Sequence, residues 1–288
     1  MTSLPPAKRF DWSNLGLRVV SALVLAPTVM ACVMIDARWP YLLLVSVGVS
    51  VLAIEWGGMS APRAPVRVAA AVTVAVLSCV FLSHLSHPLW GWGAMFVGAA
   101  AAALVARGVA ERPADAAFGV LYLAPAAICL IWLRLTNQGQ WWVLMTLLVT
   151  WAADIGAFAV GSMLKGPKLW PRFSPNKTWS GFFGGLACAS AVGALVAAPS
   201  ALDIDLPKII MPAFQLNLWA AALIGLVVGF ATMAGDLWES ALKRRFGVKD
   251  SGDLIPGHGG LLDRVDGLMF AVVVMAAARL ANHWGWGH

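Results

Sequence analysis

Long apolar stretches, separated by short segments rich in charge, proline or tryptophan, follow one another along this chain. A helix needs about 20 apolar residues to cross the hydrocarbon core of a bilayer, and most of these stretches have that length. The pattern predicts nine helices, at 17–35, 41–59, 66–83, 88–106, 116–134, 141–164, 181–199, 218–239 and 266–284. We therefore expect an all-α polytopic integral membrane protein.

The composition excludes a water-soluble fold. Of the 288 residues, 60% are hydrophobic and 12% are charged, whereas soluble domains have about 45 to 50% and about 25%. The 20 lysines and arginines exceed the 14 aspartates and glutamates. Such an excess is typical of the cytoplasmic loops of membrane proteins. No basic and aromatic module of the kind that binds nucleic acid is present, so we expect no nucleic-acid partner.

The basic residues also predict an orientation. Most of them lie in the amino-terminal tail and in the second, fourth, sixth and eighth connections, which would share one side of the membrane. The positive-inside rule assigns that side to the cytoplasm, and nine helices would then place the carboxyl terminus outside. The predicted regions are the tail 1–16, about five helices in 17–134, and a catalytic region 135–288 with cytoplasmic loops 165–180 and 240–265.

Two of the cytoplasmic connections are richer in polar residues than a connection requires. Residues 165–180 read KGPKLWPRFSPNKTWS, and residues 235–267 read GDLWESALKRRFGVKDSGDLIPGHGGLLDRVDG. In the second segment the acids recur three residues apart, as Asp236 and Glu239, Asp250 and Asp253, and Asp263 and Asp266. On a helix each pair would share one face and repel, unless a cation lay between its members. A bound Mg²⁺ fits this pattern.

Two alternatives to a metal site stay open. Asp263 and Asp266 would also suit the amino end of the ninth helix, where the helix dipole favours acids. Asp154 lies inside the sixth apolar span, so we expect it to face a polar cavity or a cation, because an unpaired carboxylate there is costly. Neutralisation of Asp154, or its pairing with a lysine for packing, is the alternative. Glu55, near the end of the second helix, is expected to reach the membrane interface and is not assigned to the site.

The candidate phosphate-binding groups are of three kinds. Lys177 follows proline and asparagine in SPNKT, a turn-like segment that would expose backbone donors beside an ammonium. A nucleotide P-loop is excluded, because its lysine and hydroxyl are missing after Gly166. The run of Lys243, Arg244, Arg245 and Lys249 would bind phosphate or face lipid headgroups, and we prefer headgroups for Arg245. His258 in PGHGG would bind or orient a phosphate.

From Ser240 to Asp266 the sequence resembles the signature of the phosphatidate cytidylyltransferase (CDP-diacylglycerol synthase) family. The matching residues are Ser240, Leu242, Lys243, Arg244, Lys249, Asp250, Gly252, Ile255, Pro256, His258, Gly259, Gly260, Leu261, Asp263, Arg264, Val265 and Asp266. A signature of this length is highly specific. Asp154 with Gly156, the SPNKTW segment and Gly235 with Asp236 also resemble features of the family.

The resemblance implies transfer of CMP from CTP to phosphatidate, giving CDP-diacylglycerol and pyrophosphate at the cytoplasmic face of a bacterial-type inner membrane. It implies Mg²⁺ and allows a second, monovalent cation such as K⁺. The candidate metal ligands are Asp154, Asp236, Asp250, Asp263 and Asp266. The candidate catalytic residues are Lys177, Asp236, His258, Asp263 and Asp266. The candidate substrate-binding residues are Ser174, Asn176, Lys177, Thr178, Lys243, Arg244, Lys249, Gly259, Gly260 and Arg264.

Two other functions and one assembly state remain open. A CTP-dependent polyprenol or phytol kinase would use an alcohol as the acceptor. A cation-coupled transporter would also bury Asp154 and Asp236, although no inverted repeat is visible. Nucleotide dependence separates these functions, since a transporter would not release pyrophosphate from CTP. A homodimer is a further expectation, because Gly181, Gly184 and Gly185 would permit close contact between helices.

Overall fold

The computed structural model of the chain describes residues 12–85, 87–201, 216–252 and 259–283. Within these ranges the chain forms nine helices and one two-stranded sheet. The helices are α1 (Trp12–Met34), α2 (Arg38–Ser60), α3 (Pro65–Leu85), α4 (Pro88–Ala106), α5 (Pro113–Leu135), α6 (Gly139–Leu164), α7 (Trp179–Ala201), α8 (Leu218–Arg245) and α9 (Leu262–His283). The predicted all-α membrane architecture is therefore confirmed.

Eight of the described helices, α2 to α9, are long and apolar enough to cross a membrane. In α1, the residues whose side chains are described include one shorter apolar stretch, from Leu23 to Met34. Proline at the first position of α3, α4 and α5 suits the beginning of a helix, where the backbone N–H has no intrahelical partner. The predicted cytoplasmic amino terminus and outer carboxyl terminus stay predictions.

The predicted boundaries of the last two helices are wrong at one end each. The eighth span, predicted at 218–239, continues as α8 to Arg245, and the ninth begins at Leu262 instead of residue 266. The last turn of α8 contains three basic residues, which are favourable at the negative end of the helix dipole. The predicted loop 240–265 is therefore wrong at both ends, and Asp263 joins the first turn of α9.

The predicted loop 165–180 contains a short antiparallel hairpin. Its strands are β1 (Lys168–Trp170) and β2 (Ser174–Thr178), with Lys168 opposite Thr178. The Ser180 hydroxyl donates to the Lys165 carbonyl, and the Trp179 amide donates to the Pro167 carbonyl at 3.0 Å. These hydrogen bonds hold the hairpin against the start of α7, so the hairpin covers one end of the helix bundle.

Helices α7 and α8 touch through their backbones. A Cβ atom on Gly193 would lie 2.4 Å from the Ala221 carbonyl oxygen and 3.0 Å from the Gly225 Cα atom. Small residues at such crossings are typical of membrane helices, where close backbone approach maximises van der Waals contact. The contact fixes α8 relative to α7, and both helices contribute to the cavity described below.

The glycines from which we predict a homodimer form close contacts within the chain. A side chain on Gly184 would collide with Val160 of α6, and one on Gly185 would collide with Met233 of α8. A Cβ atom on Gly181 would lie 2.7 Å from the Ala157 carbonyl oxygen. These three positions therefore serve the packing of α7 against α6 and α8, and they offer no support for contact between copies.

The amino-terminal helices join the carboxyl-terminal helices around Trp56 on α2. The Trp56 side chain is fully buried, and its indole N–H donates to the Asp115 carbonyl on α5 at 2.9 Å. Its ring packs against Phe118 and Tyr122 of α5 and against Phe246, the residue that follows α8. The end of α8 is thus anchored to the first half of the chain.

Arg245 strengthens the same junction, which corrects our preferred assignment of its side chain to lipid headgroups. Its guanidinium forms an ion pair with the Asp115 carboxylate at 2.5 Å, and Asp115 is buried. The guanidinium also lies over the Phe246 ring, 5.3 Å from its centroid. Arg245 therefore connects α8 to α5.

Candidate active site

A cavity of about 1040 Å³ lies where α6, α7, α8 and α9 meet the hairpin. Apolar side chains such as Phe158, Phe182 and Met233 form one part of its wall. Four carboxylates and five cationic side chains form another part. Because charged and apolar side chains line the same cavity, it can accommodate a ligand that is polyanionic at one end and apolar at the other.

Four of the predicted metal ligands meet at this cavity. Asp154 projects from α6, Asp236 from α8, and Asp263 and Asp266 from α9. Asp236 interacts electrostatically with both Asp154 and Asp266. Acids from three helices therefore converge, although they are far apart in the sequence. This arrangement stores like-charge repulsion that a cation relieves.

Lys177 is the cation at the centre of these acids. It lies on β2 and forms an ion pair with Asp236. It also interacts electrostatically with Asp154 and Asp266. The hairpin thus places one ammonium among three carboxylates. The turn-like backbone that we predict at Lys177 is wrong, because the residue lies in a strand. Its side chain does face the cavity.

A second cation, Lys243, lies between two carboxylates. Its ammonium is 2.7 Å from the Glu239 carboxylate, one helical turn earlier on α8, and 2.5 Å from the Asp263 carboxylate on α9. The other oxygen of Asp263 accepts hydrogen bonds from the Ser251 amide and hydroxyl, both at 3.0 Å. Asp263 is therefore fully engaged, so helix capping alone does not account for its position.

The hairpin contributes two more of the predicted substrate-binding residues. Asn176 and Thr178 both line the cavity. The Thr178 hydroxyl accepts a hydrogen bond from the Gly181 amide at 3.1 Å, which satisfies a free donor in the first turn of α7. Thr178 is buried, so its hydroxyl orients the start of α7 as well as facing the cavity.

Several other predicted site residues do not line the cavity. Arg264 lines it, but Ser174, Arg244, Lys249, Asp250, Gly259 and Gly260 do not. Arg244 is exposed and lies 3.4 Å from the Val248 carbonyl, and Lys249 and Asp250 are exposed after α8. His258 and Asp253 fall outside the described residues. The assignments of these residues to the site stay predictions.

Three functional candidates are missing from the sequence-based set. Lys165 and Lys168 line the cavity beside Lys177. The sequence feature that could have identified them is their position in the unusually basic loop 165–180. Glu55 is buried instead of reaching the membrane interface, and it contacts the segment before α9. Its signal was a carboxylate inside an apolar span, the same feature that drew attention to Asp154.

The carboxylates fit a Mg²⁺ ion that is shared with substrate. Among the described residues, no three acids, histidines or cysteines form a preassembled metal site. Mg²⁺ commonly binds through one or two carboxylates and completes its coordination with water and substrate phosphates. Asp236 and Asp266 provide such a pair, with Asp154 nearby. The donor set is therefore suited to a metal that arrives with a polyphosphate.

Comparison with known proteins defines the family. The model of the cytidylyltransferase family matches residues 16–281, which is nearly the whole chain. The chain therefore belongs to the cytidylyltransferase family. The match includes the amino-terminal helices as well as the segments that line the cavity.

Individual relatives carry a more specific name. A phosphatidate cytidylyltransferase of Brucella suis biovar 1 is 34% identical over 264 residues, which cover 91% of this chain and 92% of the relative. Phosphatidate cytidylyltransferases of Staphylococcus saprophyticus and Staphylococcus haemolyticus are 40% and 38% identical over 162 residues. Those two matches cover 56% of this chain, and the chain spans only 58% of the length of each staphylococcal relative.

Proposed function

We propose that this protein is a phosphatidate cytidylyltransferase, which transfers CMP from CTP to phosphatidate and supplies CDP-diacylglycerol for phospholipid biosynthesis. The observation that carries the proposal is the cavity where Lys177 pairs with Asp236 beside Asp154 and Asp266. Similarity to relatives of that name supports it. The cavity combines charges suited to phosphates with apolar side chains suited to lipid, as this pair of substrates requires.

The reaction joins two polyanions. A phosphate oxygen of phosphatidate attacks the α-phosphorus of CTP, and the bond between the α-phosphorus and the bridging oxygen breaks to release pyrophosphate. Because the lipid phosphate is already ionised, the attacking oxygen needs little help from a general base. The main tasks of the protein are therefore to overcome repulsion and to align the two groups.

The basic residues of the cavity perform the first task. Lys165, Lys168 and Lys177 come from the hairpin side of the cavity, and Lys243 and Arg264 come from α8 and α9. We assign the three hairpin-side lysines to CTP phosphates, because they form one positive wall. Lys177 then exchanges part of its contact with Asp236 for a phosphate. His258 remains a candidate for orienting the reacting phosphate.

The carboxylates would hold the metal. Asp236 and Asp266, with Asp154, are the proposed ligands among the cavity residues, and Asp263 holds Lys243 beside them. When bound, Mg²⁺ would offset the charge of the phosphates and stabilise the pyrophosphate leaving group. A second, monovalent cation such as K⁺ stays part of the proposal, as does Asp250 as a ligand from the predicted set.

The lipid would enter from the bilayer. Phe158 on α6 lines the cavity and is 79% exposed, so an acyl chain can lie against it without leaving the apolar phase. The basic connections support a cytoplasmic site in a bacterial-type inner membrane. A homodimer remains compatible with the proposal, but it would have to use surfaces other than Gly181, Gly184 and Gly185.

Pyrophosphate release tests the proposal. Detergent-purified protein is given CTP, phosphatidate and Mg²⁺, each is omitted in turn, and the lipid product is identified by mass. We expect release that requires all three and formation of CDP-diacylglycerol. In a parallel assay in which polyprenol or phytol replaces phosphatidate, formation of the phosphorylated alcohol and CDP without pyrophosphate would identify a kinase instead. No nucleotide turnover by folded protein would favour a transporter.

A further inference from the structure

Glu55 on α2 is a buried carboxylate that binds residues from the other half of the chain. Its side chain accepts hydrogen bonds from the Leu261 amide at 2.7 Å, the Leu262 amide at 2.8 Å and the Ser251 hydroxyl at 3.0 Å. The residue is only 3% exposed. A buried carboxylate with donors at both oxygens is held in one position, because a shift would leave unpaired charge.

The two amides belong to the beginning of α9. Leu262 is the first residue of α9, and the amides at the start of a helix have no intrahelical acceptor. Glu55 supplies that acceptor from a distant helix, and its negative charge suits the positive end of the helix dipole. Glu55 therefore caps the beginning of α9 from a distant helix.

The hydroxyl connects Glu55 to the cavity. The Ser251 hydroxyl lies 3.0 Å from Glu55 and 3.0 Å from Asp263, so its single proton is shared between the two carboxylates. Asp263 in turn holds Lys243. A continuous path of polar contacts thus runs from α2 through Ser251 and Asp263 to Lys243 at the cavity wall.

Gly260 packs tightly against this path. A Cβ atom on Gly260 would lie 1.9 Å from the Ser251 hydroxyl oxygen and 2.9 Å from a Glu55 carboxylate oxygen. Only glycine fits at that position without displacing the network. The backbone before α9, Ser251 and Glu55 therefore pack as one unit.

We infer that Glu55 is a positioning residue for the proposed reaction: it fixes the first turn of α9 so that Asp263 and Asp266 face the cavity at the correct place. The expected effect on the reaction rate rests on the proposed function. The inference gives the amino-terminal helices a role in catalysis. Glu55 touches no cavity surface itself and acts through Ser251 and the backbone of Leu261 and Leu262.

The test is the full-length Glu55→Gln variant. Glutamine keeps the size of the side chain but replaces one acceptor oxygen with an NH2 group, and that donor would face the N–H or O–H donors that the carboxylate accepts from. We expect kcat per folded molecule to fall about tenfold or more, because small displacements of reacting groups have effects of that order. The KM values for CTP and phosphatidate should change by less than about threefold.

Ser60→Ala is the matched control. Ser60 is on the same helix and is also buried, and its hydroxyl has no hydrogen-bond partner among the described residues. It should retain the wild-type kcat. If Glu55 were only a structural cap, Glu55→Gln would lower the melting temperature and the folded fraction. The kcat per folded molecule would then stay within about twofold of wild type, and the inference would be overturned.

A double substitution tests whether the effect passes through Ser251. Ser251→Ala removes the hydroxyl that joins Glu55 to Asp263. If the path is correct, combining Ser251→Ala with Glu55→Gln should reduce kcat by clearly less than the product of the two single effects. Fully multiplicative effects would show that Glu55 does not act through Ser251, which would overturn this path.

Hydrogen exchange separates this inference from the proposed function. Exchange of the backbone amides in residues 259–265 reports the order of the beginning of α9 without requiring turnover. Faster exchange in Glu55→Gln than in Ser60→Ala would show that Glu55 orders the beginning of α9, even if the wild-type protein releases no pyrophosphate and the proposed function fails; the effect on the reaction is decided by kcat. Equal exchange in the two variants would overturn the positioning role, even if the wild type is active.

Discussion

Lys177 on β2 forms an ion pair with Asp236 on α8, and both side chains line the same cavity. The pair joins the hairpin to the helix bundle at the point where Asp154 and Asp266 also converge. Each partner has a second task in the proposed reaction, Lys177 toward phosphate and Asp236 toward Mg²⁺. The ion pair therefore holds both groups near the cavity before substrate arrives.

This double role predicts a large loss of activity when either partner is removed. We expect Lys177→Ala and Asp236→Asn each to lower kcat/KM about 100-fold or more, a size typical of lost electrostatic stabilisation at a reacting centre. Arg172→Ala is the control, because Arg172 is exposed on the same hairpin, lies over Phe173 and does not line the cavity. Steady-state pyrophosphate release measures the effect, and near-normal turnover in a folded variant would remove that residue from the site.

Lys165 and Lys168 should contribute to the affinity for CTP. Both are exposed at the cavity wall, so substitution by glutamine is expected to raise the KM for CTP by about threefold to tenfold and to leave kcat nearly unchanged. Lys249→Gln provides the comparison, because Lys249 is not among the residues that line the cavity. Titration of CTP at saturating phosphatidate makes the measurement. A larger effect from Lys249 would contradict our choice of phosphate-binding wall.

Lys243 should be important for stability as well as for activity. Its ammonium separates Glu239 and Asp263, and all three side chains are largely buried. Lys243→Met would leave two carboxylates facing each other, at a cost of roughly 3 kcal/mol in the free energy of unfolding. Thermal unfolding in detergent should show a lower melting temperature.

Glu239→Gln should restore part of the stability lost in Lys243→Met, because it removes one of the two unpaired charges. The double variant should therefore unfold at a higher temperature than Lys243→Met alone. A double variant that is less stable than either single variant would argue against charge pairing as the source of the effect.

The contact between α7 and α8 predicts a steric effect. Gly193→Ala would place a methyl group 2.4 Å from the Ala221 carbonyl oxygen, so the helices must separate. We expect a loss of about 1 to 3 kcal/mol in stability. Gly48→Ala on α2 is the control, since no atom lies within 4 Å of the added methyl group. Equal melting temperatures for the two variants would show that α7 and α8 tolerate greater separation.

The helices could be predicted because the bilayer sets their length. Apolar runs of membrane-spanning length locate all nine described helices, but they do not locate the ends of α8 and α9, which continue into charged residues. The hairpin was missed because strands of three and five residues are too short to show an alternating pattern. Hydrophobicity identifies the segments that lie in the membrane. It gives no information about secondary structure outside the membrane.

The site could be predicted in part for a related reason. Asp236, Asp263 and Asp266 stand out because the acids recur three residues apart, and all three line the cavity with Asp154. Asp154 stands out because an unpaired carboxylate inside an apolar span is costly. Glu55 has the same signal, but sequence alone cannot distinguish a carboxylate that reaches headgroups from one that binds a distant loop. The Arg245 and Asp115 pair also depends on tertiary packing, which no local spacing reveals.

The most direct test of the proposed function follows the phosphorus atoms of CTP. Purified protein is given phosphatidate, Mg²⁺ and CTP labelled either at the α-phosphate or at the γ-phosphate. The proposed reaction predicts that the α label enters the lipid as CDP-diacylglycerol, while the γ label appears only in pyrophosphate. Transfer of the γ label to lipid, with the α label left in CDP, would contradict cytidylyl transfer and identify a kinase.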